Sequence, residues 1–191
     1  MLKSELRKIY LEKQKSLSDA ERSEKSRRIA EQFFAHFDLT NIRFLHVFLP
    51  IEKNREIDTF IIINRLRRDF PRITTIVPRL DFETMTLENL KFDAAKLAVN
   101  QWHIPEPIGG ESVVGERIDA VLAPLLCFDN GGFRVGYGKG FYDKLLKTCR
   151  ADCLKIGLSY FASVAEISDA QSFDIKLDFC VMPEEVFTVK T

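Results

Sequence analysis

Apolar residues recur at helical spacing from the first residues of the chain, with Leu2, Leu6, Ile9 and Lys13 tracing one face of a helix over 2–16. Ser18-Asp19-Ala20-Glu21 then has the form of a capping box, a hydroxyl and a carboxylate three residues apart that each satisfy the other's backbone N–H. It opens a second helix over 18–37 whose inner face carries Ile29, Phe33 and Phe37. The pattern changes at Arg43, where an unbroken apolar run to Leu49 ends at Pro50, as expected of a strand covered on both faces. A helical stripe of Phe60, Ile63, Leu66 and Phe70 and a second run, Thr74 to Val77 before Pro78, complete a β-α-β unit. Its loop at 51–56 follows a strand's C-terminal end, where open α/β sheets bind ligands.

From Arg79 to Glu116 the periodicity weakens. A short hairpin is expected around Met85 to Phe92, and Trp102-His103-Ile104-Pro105-Glu106-Pro107 reads as a turn whose indole either stacks on a flat heterocycle or covers a core edge. Ile118 to Leu122 is the next buried strand, and a further helix runs through Phe141, Leu145 and Cys149. Leu154 to Leu158 reads as a strand, and Ile175, Leu177, Phe179 and Val181 alternate as a half-buried one. No linker or repeat divides the 191 residues, so the expectation for 1–191 is one α/β domain with a mostly parallel or mixed sheet.

Charge alters this picture little. Lys plus Arg and Asp plus Glu both number 28, and the densest basic cluster, Arg65, Arg67 and Arg68, reads as a solvated helix face, so nothing marks a nucleic-acid surface. The opening residues are charged where a signal peptide would be apolar, and no window suits a membrane helix. A cytoplasmic protein is expected, with Cys127, Cys149, Cys153 and Cys180 as buried thiols rather than a disulfide framework. His36, His46 and His103 lack metal-ligand spacing, which argues against a zinc hydrolase.

Chemistry is concentrated between Pro124 and Lys147. Gly131, Gly132, Gly136, Gly138 and Gly140 can turn N–H groups toward an anion where a Cβ would block approach, and Arg134 and Lys139 add positive charge. The helix that begins where the glycines stop presents its N-terminus to the same anion. Neither common nucleotide fingerprint fits, because Lys139 is followed by Gly140 rather than Ser or Thr, and a G-x-G-x-x-G begun at Gly136 would need glycine in place of Phe141. A tight strand-to-helix turn explains two or three of the glycines; a phosphate cradle explains all five and both cations.

Asp143 falls about 200° around the helix from Phe141, off the apolar stripe and beside the loop. Spacing suits it equally to a magnesium ion or to the helix dipole. Asp174 and Asp178 share one face of the predicted last strand but stand roughly 13 Å apart, so at most one joins a metal site. Lys3 and Arg7, one helical turn apart, read from spacing as a solvated cationic face.

Assembled, these segments strongly resemble the 5-formyltetrahydrofolate cyclo-ligase family, also called 5,10-methenyltetrahydrofolate synthetase. The likeness is carried by the run from Ile118 to Asp143, and also by Lys3 to Arg7, Glu56-Ile57-Asp58-Thr59, Val77-Pro78-Arg79, Ile104-Pro105-Glu106-Pro107 and Asp174 to Asp178. The chain departs from the family pattern at Phe141, Phe173 and Pro183. The resemblance implies a single three-layer domain of the ribose-phosphate-isomerase/CoA-transferase-like kind. It implies conversion of 5-formyltetrahydrofolate to 5,10-methenyltetrahydrofolate with ATP and magnesium, releasing ADP and phosphate through a phosphorylated formyl group.

By the same resemblance, Lys3, Ser4, Glu5, Leu6 and Arg7 would contact ATP, together with Arg134, Val135, Gly136, Tyr137, Gly138, Lys139, Gly140, Phe141 and Tyr142. Ile51 and Glu56 would contact the folate with Tyr137 to Phe141, Arg134 and Lys139 would be catalytic, and Asp143 and Asp174 would hold magnesium. The expected partner is a reduced folate, with no nucleic acid and no membrane, and the expected state is a monomer. A sugar-phosphate isomerase would share the fold without needing ATP, and a nucleotide-binding regulator would bind ATP without turnover; these are the alternatives.

Overall fold

The computed structural model describes residues 1–81, 83–100 and 105–189. Helices α1 (Lys3–Ser16) and α2 (Asp19–His36) precede β1 (Phe44–Val47), α3 (Phe60–Asp69), β2 (Thr74–Asp81) and β3 (Thr86–Lys91). β4 (Leu97–Val99) pairs with β5 (Pro105–Pro107), and beyond β6 (Ala120–Pro124) another short pair forms from β7 (Cys127–Phe128) and β8 (Arg134–Val135). Then come α4 (Phe141–Thr148), β9 (Leu154–Leu158), β10 (Phe179–Val181) and β11 (Val186–Thr188).

The seven-stranded sheet has the order β11-β10-β9-β6-β1-β2-β3, parallel from β10 through β2 and antiparallel at both edges. β1 lies inside the sheet beside the central β6, pairing Leu45 with Ala120 on one side and with Thr75 on the other. Successive side chains of a strand face opposite ways, and the core divides accordingly. Leu45, Val47, Leu122 and Ile156 pack with Ile29 and Phe33 of α2 and Ile63 and Leu66 of α3. Val121 and Ala123 belong instead to the cluster that holds Leu145 and Leu146 of α4. The result is the expected α/β arrangement of helices on both faces of a mixed sheet.

Helix α2 begins as its sequence requires: the Glu21 N–H donates to Ser18 Oγ at 3.2 Å, and the Ser18 N–H donates to Glu21 Oε2 at 2.8 Å. Helix α1 presents a different face from the one the spacing suggested. Leu6 and Gln14 are buried, Tyr10 packs with Leu6 against Cys127 and Val135, and Leu2 and Ile9 are exposed. The reason is that α1 lies against the small β7–β8 pair rather than the main sheet, and this narrow contact covers one turn-spaced row.

Two strand predictions need correcting. β2 does not stop before Pro78 but runs on to Asp81, pairing Pro78 with Asn89 of β3, because β1 has already ended on the other side and no donor is missed there. β3 is thus the second arm of a β2–β3 hairpin around the segment where a short one was expected. The last alternating segment is a strand only from Phe179. The residues before it bond elsewhere, with the Ile175 carbonyl accepting from Arg134 and the Leu177 N–H donating to the Gly132 carbonyl at 2.9 Å. Asp174 and Asp178 therefore do not share a strand face. Trp102, His103 and Ile104 lie outside the described residues. Among the described residues no helix is long and apolar enough to cross a membrane.

Candidate active site

The glycine segment is built as two devices rather than one cradle. Gly131 and Gly132 belong to the turn joining β7 to β8, organised by the buried Asp129, whose Oδ1 accepts from the N–H groups of Gly131 at 2.9 Å and Phe133 at 3.0 Å. Gly132, at φ 85°, abuts Val189 and the Leu177 carbonyl, so this half is structural. Gly136, Gly138 and Gly140 form the second half and line a cavity. Gly138 has φ 89°, and a Cβ on it would stand 3.3 Å from the Arg7 guanidinium. Arg7 fills that space and donates from Nε to the Gly136 carbonyl at 2.9 Å, tying α1 to the loop. Gly140, at φ 70°, caps α4, whose first turn carries Phe141, Tyr142 and Asp143.

The cavity measures about 560 Å³, within the usual range for a small-molecule site. One end is cationic, with Lys3, Arg7, Arg134 and Lys139 on a shared wall. The Arg134 side chain is only 6% exposed; Nη2 donates to Asp143 Oδ1 at 2.7 Å and Nη1 to the Ile175 carbonyl at 2.6 Å. Burial lowers its pKa, and the Asp143 charge acts against that. Lys3 pairs with Asp174. Burial alone would raise the Asp174 pKa, but the Gln171 N–H and Lys3 hold the carboxyl below its ordinary value. Lys139 is exposed and makes no hydrogen bond or ion pair among the described residues. Of the four cations, Lys3 and Arg134 are thus fixed by acids, Arg7 is held at Nε by a carbonyl, and Lys139 is left for a ligand.

The other end is apolar, lined by Phe48, Leu49, Ile51, Pro78, Leu80 and Pro124, with Glu106 at its edge. Glu56 sits there almost fully buried, its Oε2 accepting the Ile51 N–H at 2.8 Å. Tyr137 bridges the two ends. Its hydroxyl accepts from Gln14 Nε2 at 2.8 Å and lies close enough to Glu56 to favour that carboxyl's charged form. Burial pushes Glu56 up to about 7 and Tyr137 well above its ordinary value.

Of the residues singled out from sequence, Lys3, Arg7, Ile51, Glu56, Asp143, Asp174 and all of 134–142 line this one cavity. Ser4, Glu5 and Leu6 do not; Leu6 packs beneath it and Glu5 caps α1 through the Leu2 N–H at 3.0 Å. Gln14, Lys53, Asn54 and Glu106 were missed. Gln14 was findable, because a polar residue four positions after Tyr10 and eight after Leu6 continues the buried row of α1.

In a mixed α/β sheet, a cavity at the strands' C-terminal ends that joins a cationic, glycine-lined part to an apolar part is the expected place for a ligand. The comparisons are more specific. A family model for the 5-formyltetrahydrofolate cyclo-ligase family matches residues 1–182, and the chain belongs to that family. It is 29% identical to the 5-formyltetrahydrofolate cyclo-ligase of Mycoplasma genitalium, over 94% of this chain and 96% of that one. It is likewise 29% identical to the enzyme of that name from Mus musculus, over 75% and 73%. The NMR structure of Aquifex aeolicus 5,10-methenyltetrahydrofolate synthetase superposes with a TM-score of 0.83 at 30% identity, covering 100% of this chain and 94% of that one.

Proposed function

We propose that this protein cyclises 5-formyltetrahydrofolate to 5,10-methenyltetrahydrofolate at the expense of ATP. The observation that carries the reading is one cavity that brings the cationic glycine wall together with an apolar slot containing Glu56. A formyl group on N5 is amide-like, and its oxygen leaves poorly until it is phosphorylated. The triphosphate would lie along Gly136 to Gly140 and the pterin against Phe48, Leu49 and Ile51, so that the terminal phosphate meets the formyl oxygen between them. Such transfer needs positioning and charge neutralisation more than a covalent nucleophile. Lys139 supplies the free positive charge and Arg134 the fixed one. N10 then attacks the activated carbon, the five-membered ring closes, and phosphate departs.

Magnesium fits the acids present. Asp143 and Asp174 both line the cationic end, 35% and 15% exposed, and magnesium needs only one or two carboxylates beside phosphate oxygens and water. Among the described residues no group of three potential ligands would hold a metal without such help. Bound there, the ion would neutralise phosphate charge. The free cysteines, three of them buried, suit a reducing compartment such as the cytoplasm.

The test is to mix the protein with 5-formyltetrahydrofolate, ATP and magnesium and to follow the methenyl product by its absorbance. An ATP-dependent rise is expected; its absence from folded protein would overturn the proposal. Family membership disfavours the isomerase and regulator alternatives.

A further inference from the structure

Ring closure has a proton to dispose of. N10 carries one hydrogen in the substrate and none in the product, so its N–H bond must break as the new carbon–nitrogen bond forms. Four carboxylates line the cavity, those of Glu56, Glu106, Asp143 and Asp174, and of these the Glu56 residue is the buried one. Asp143 and Asp174 are each held by a cation, and Glu106 accepts from Asn100 Nδ2 at 3.1 Å. Glu56 has no cation on its carboxylate among the described residues. The nearest candidate, Arg22, spends both Nη groups on Glu52, at 2.6 and 2.8 Å, and reaches Glu56 only at its backbone carbonyl.

The geometry points to Glu56 as the base that takes the N10 proton. The carboxylate accepts that proton while the N–H electron pair stays on nitrogen to form the amidinium; the carbon–oxygen bond breaks and the oxygen leaves with phosphate. Glu56 then returns its proton to the departing phosphate or to water. Tyr137, which faces Glu56 and is locked by Gln14 Nε2, is the positioning residue.

The groups facing Glu56 are the Ile51 N–H and Asn54 from the loop after β1, Tyr137 from the glycine loop, Tyr142 from α4 and Arg22 from α2. The Ile51 N–H, Tyr137, Asn54 and Arg22 all lower its pKa, and burial outweighs them, leaving Glu56 near neutrality. A base poised near the working pH is the efficient arrangement.

This rests on the cyclo-ligase reading, and the experiment separates the two. If wild-type protein gives no methenyl product, that reading fails. If wild type is active, Glu56→Gln is the probe, since its amide oxygen can still accept the Ile51 N–H. Expected are a fall in kcat of about 100- to 10,000-fold, a much smaller change in folate KM, loss of the acidic limb of the kcat–pH profile, and a retained single-turnover burst of ADP. Near-wild-type kcat, or an acidic limb that survives, would overturn the assignment. Tyr137→Phe guards against misfolding of the first variant. It removes a hydroxyl that favours the charged carboxylate, so the limb should move to higher pH; an unmoved limb would equally overturn the assignment.

Discussion

Arg134 Nη2 and Asp143 Oδ1 lie 2.7 Å apart, joining the strand that enters the glycine loop to the first turn of the helix that leaves it. The pair holds the loop's two ends together, with the other arm of the guanidinium on the Ile175 carbonyl at 2.6 Å. Arg134→Met keeps the aliphatic volume and leaves Asp143 and that carbonyl without their donor. We expect a loss of roughly 2–4 kcal/mol, less than a fully buried pair costs because Asp143 is partly in water. Urea denaturation of the variant measures it, and an unchanged midpoint would show that the pair is not structural.

Magnesium dependence tests the acids separately from the fold. Asp143→Asn and Asp174→Asn remove a charge while keeping an oxygen that can accept from Arg134 or Lys3. Each should raise the magnesium concentration needed for half-maximal rate by about tenfold or more, one ligand's loss being on the order of 1.4 kcal/mol. A magnesium titration that superposes on wild type excludes the residue in question.

Lys139→Ala should leave stability within about 0.5 kcal/mol of wild type, since the side chain is exposed and bonds to nothing described. Turnover should fall by roughly 100-fold or more, as when a donor to developing charge is removed. Thermal melts and rates on the same preparation check both halves, and a wild-type rate would remove Lys139 from phosphate handling.

Much of this was legible in the sequence because local chemistry agreed with the final packing. The capping box at Ser18, the β-α-β unit from Arg43 to Val77 and the helix after Gly140 all formed where the pattern put them. What escaped was set by distant partners. Asp129 and the Asn130-Gly131 pair are local signs that Gly131 and Gly132 serve a turn, but the close approach of Gly132 to Val189 and Leu177, which makes that half structural, is set at a distance. The segment before Phe179 alternates like a strand yet gives its hydrogen bonds to the glycine loop and to Lys155, which competes with sheet pairing. The pairing of Arg134 with Asp143 spans nine residues and a reversal of the chain, beyond any periodicity.

His46 offers a test of the core behind the site. It lies in β1 with no exposure, neither ring nitrogen has a hydrogen-bond partner, and its ring meets Tyr142 edge-on at 5.7 Å. Burial pushes its pKa down to about 3 from an ordinary 6.5. A histidine depressed in the folded state contributes stability that is present above the unfolded value and lost as pH falls from 6.5 towards 3, because the unfolded chain takes up the proton first. Glu56 works the other way: its raised pKa costs stability as pH rises from 4.5 towards 7, and it is present in both proteins being compared. His46→Leu removes the titrating ring and its two unsatisfied nitrogens at similar volume. The variant should match or exceed wild type at neutral pH, with its advantage growing by about 3 kcal/mol by about pH 4. Urea midpoints measured across that range give the difference directly, and an advantage that stays constant with pH would mean that His46 is not held neutral by burial.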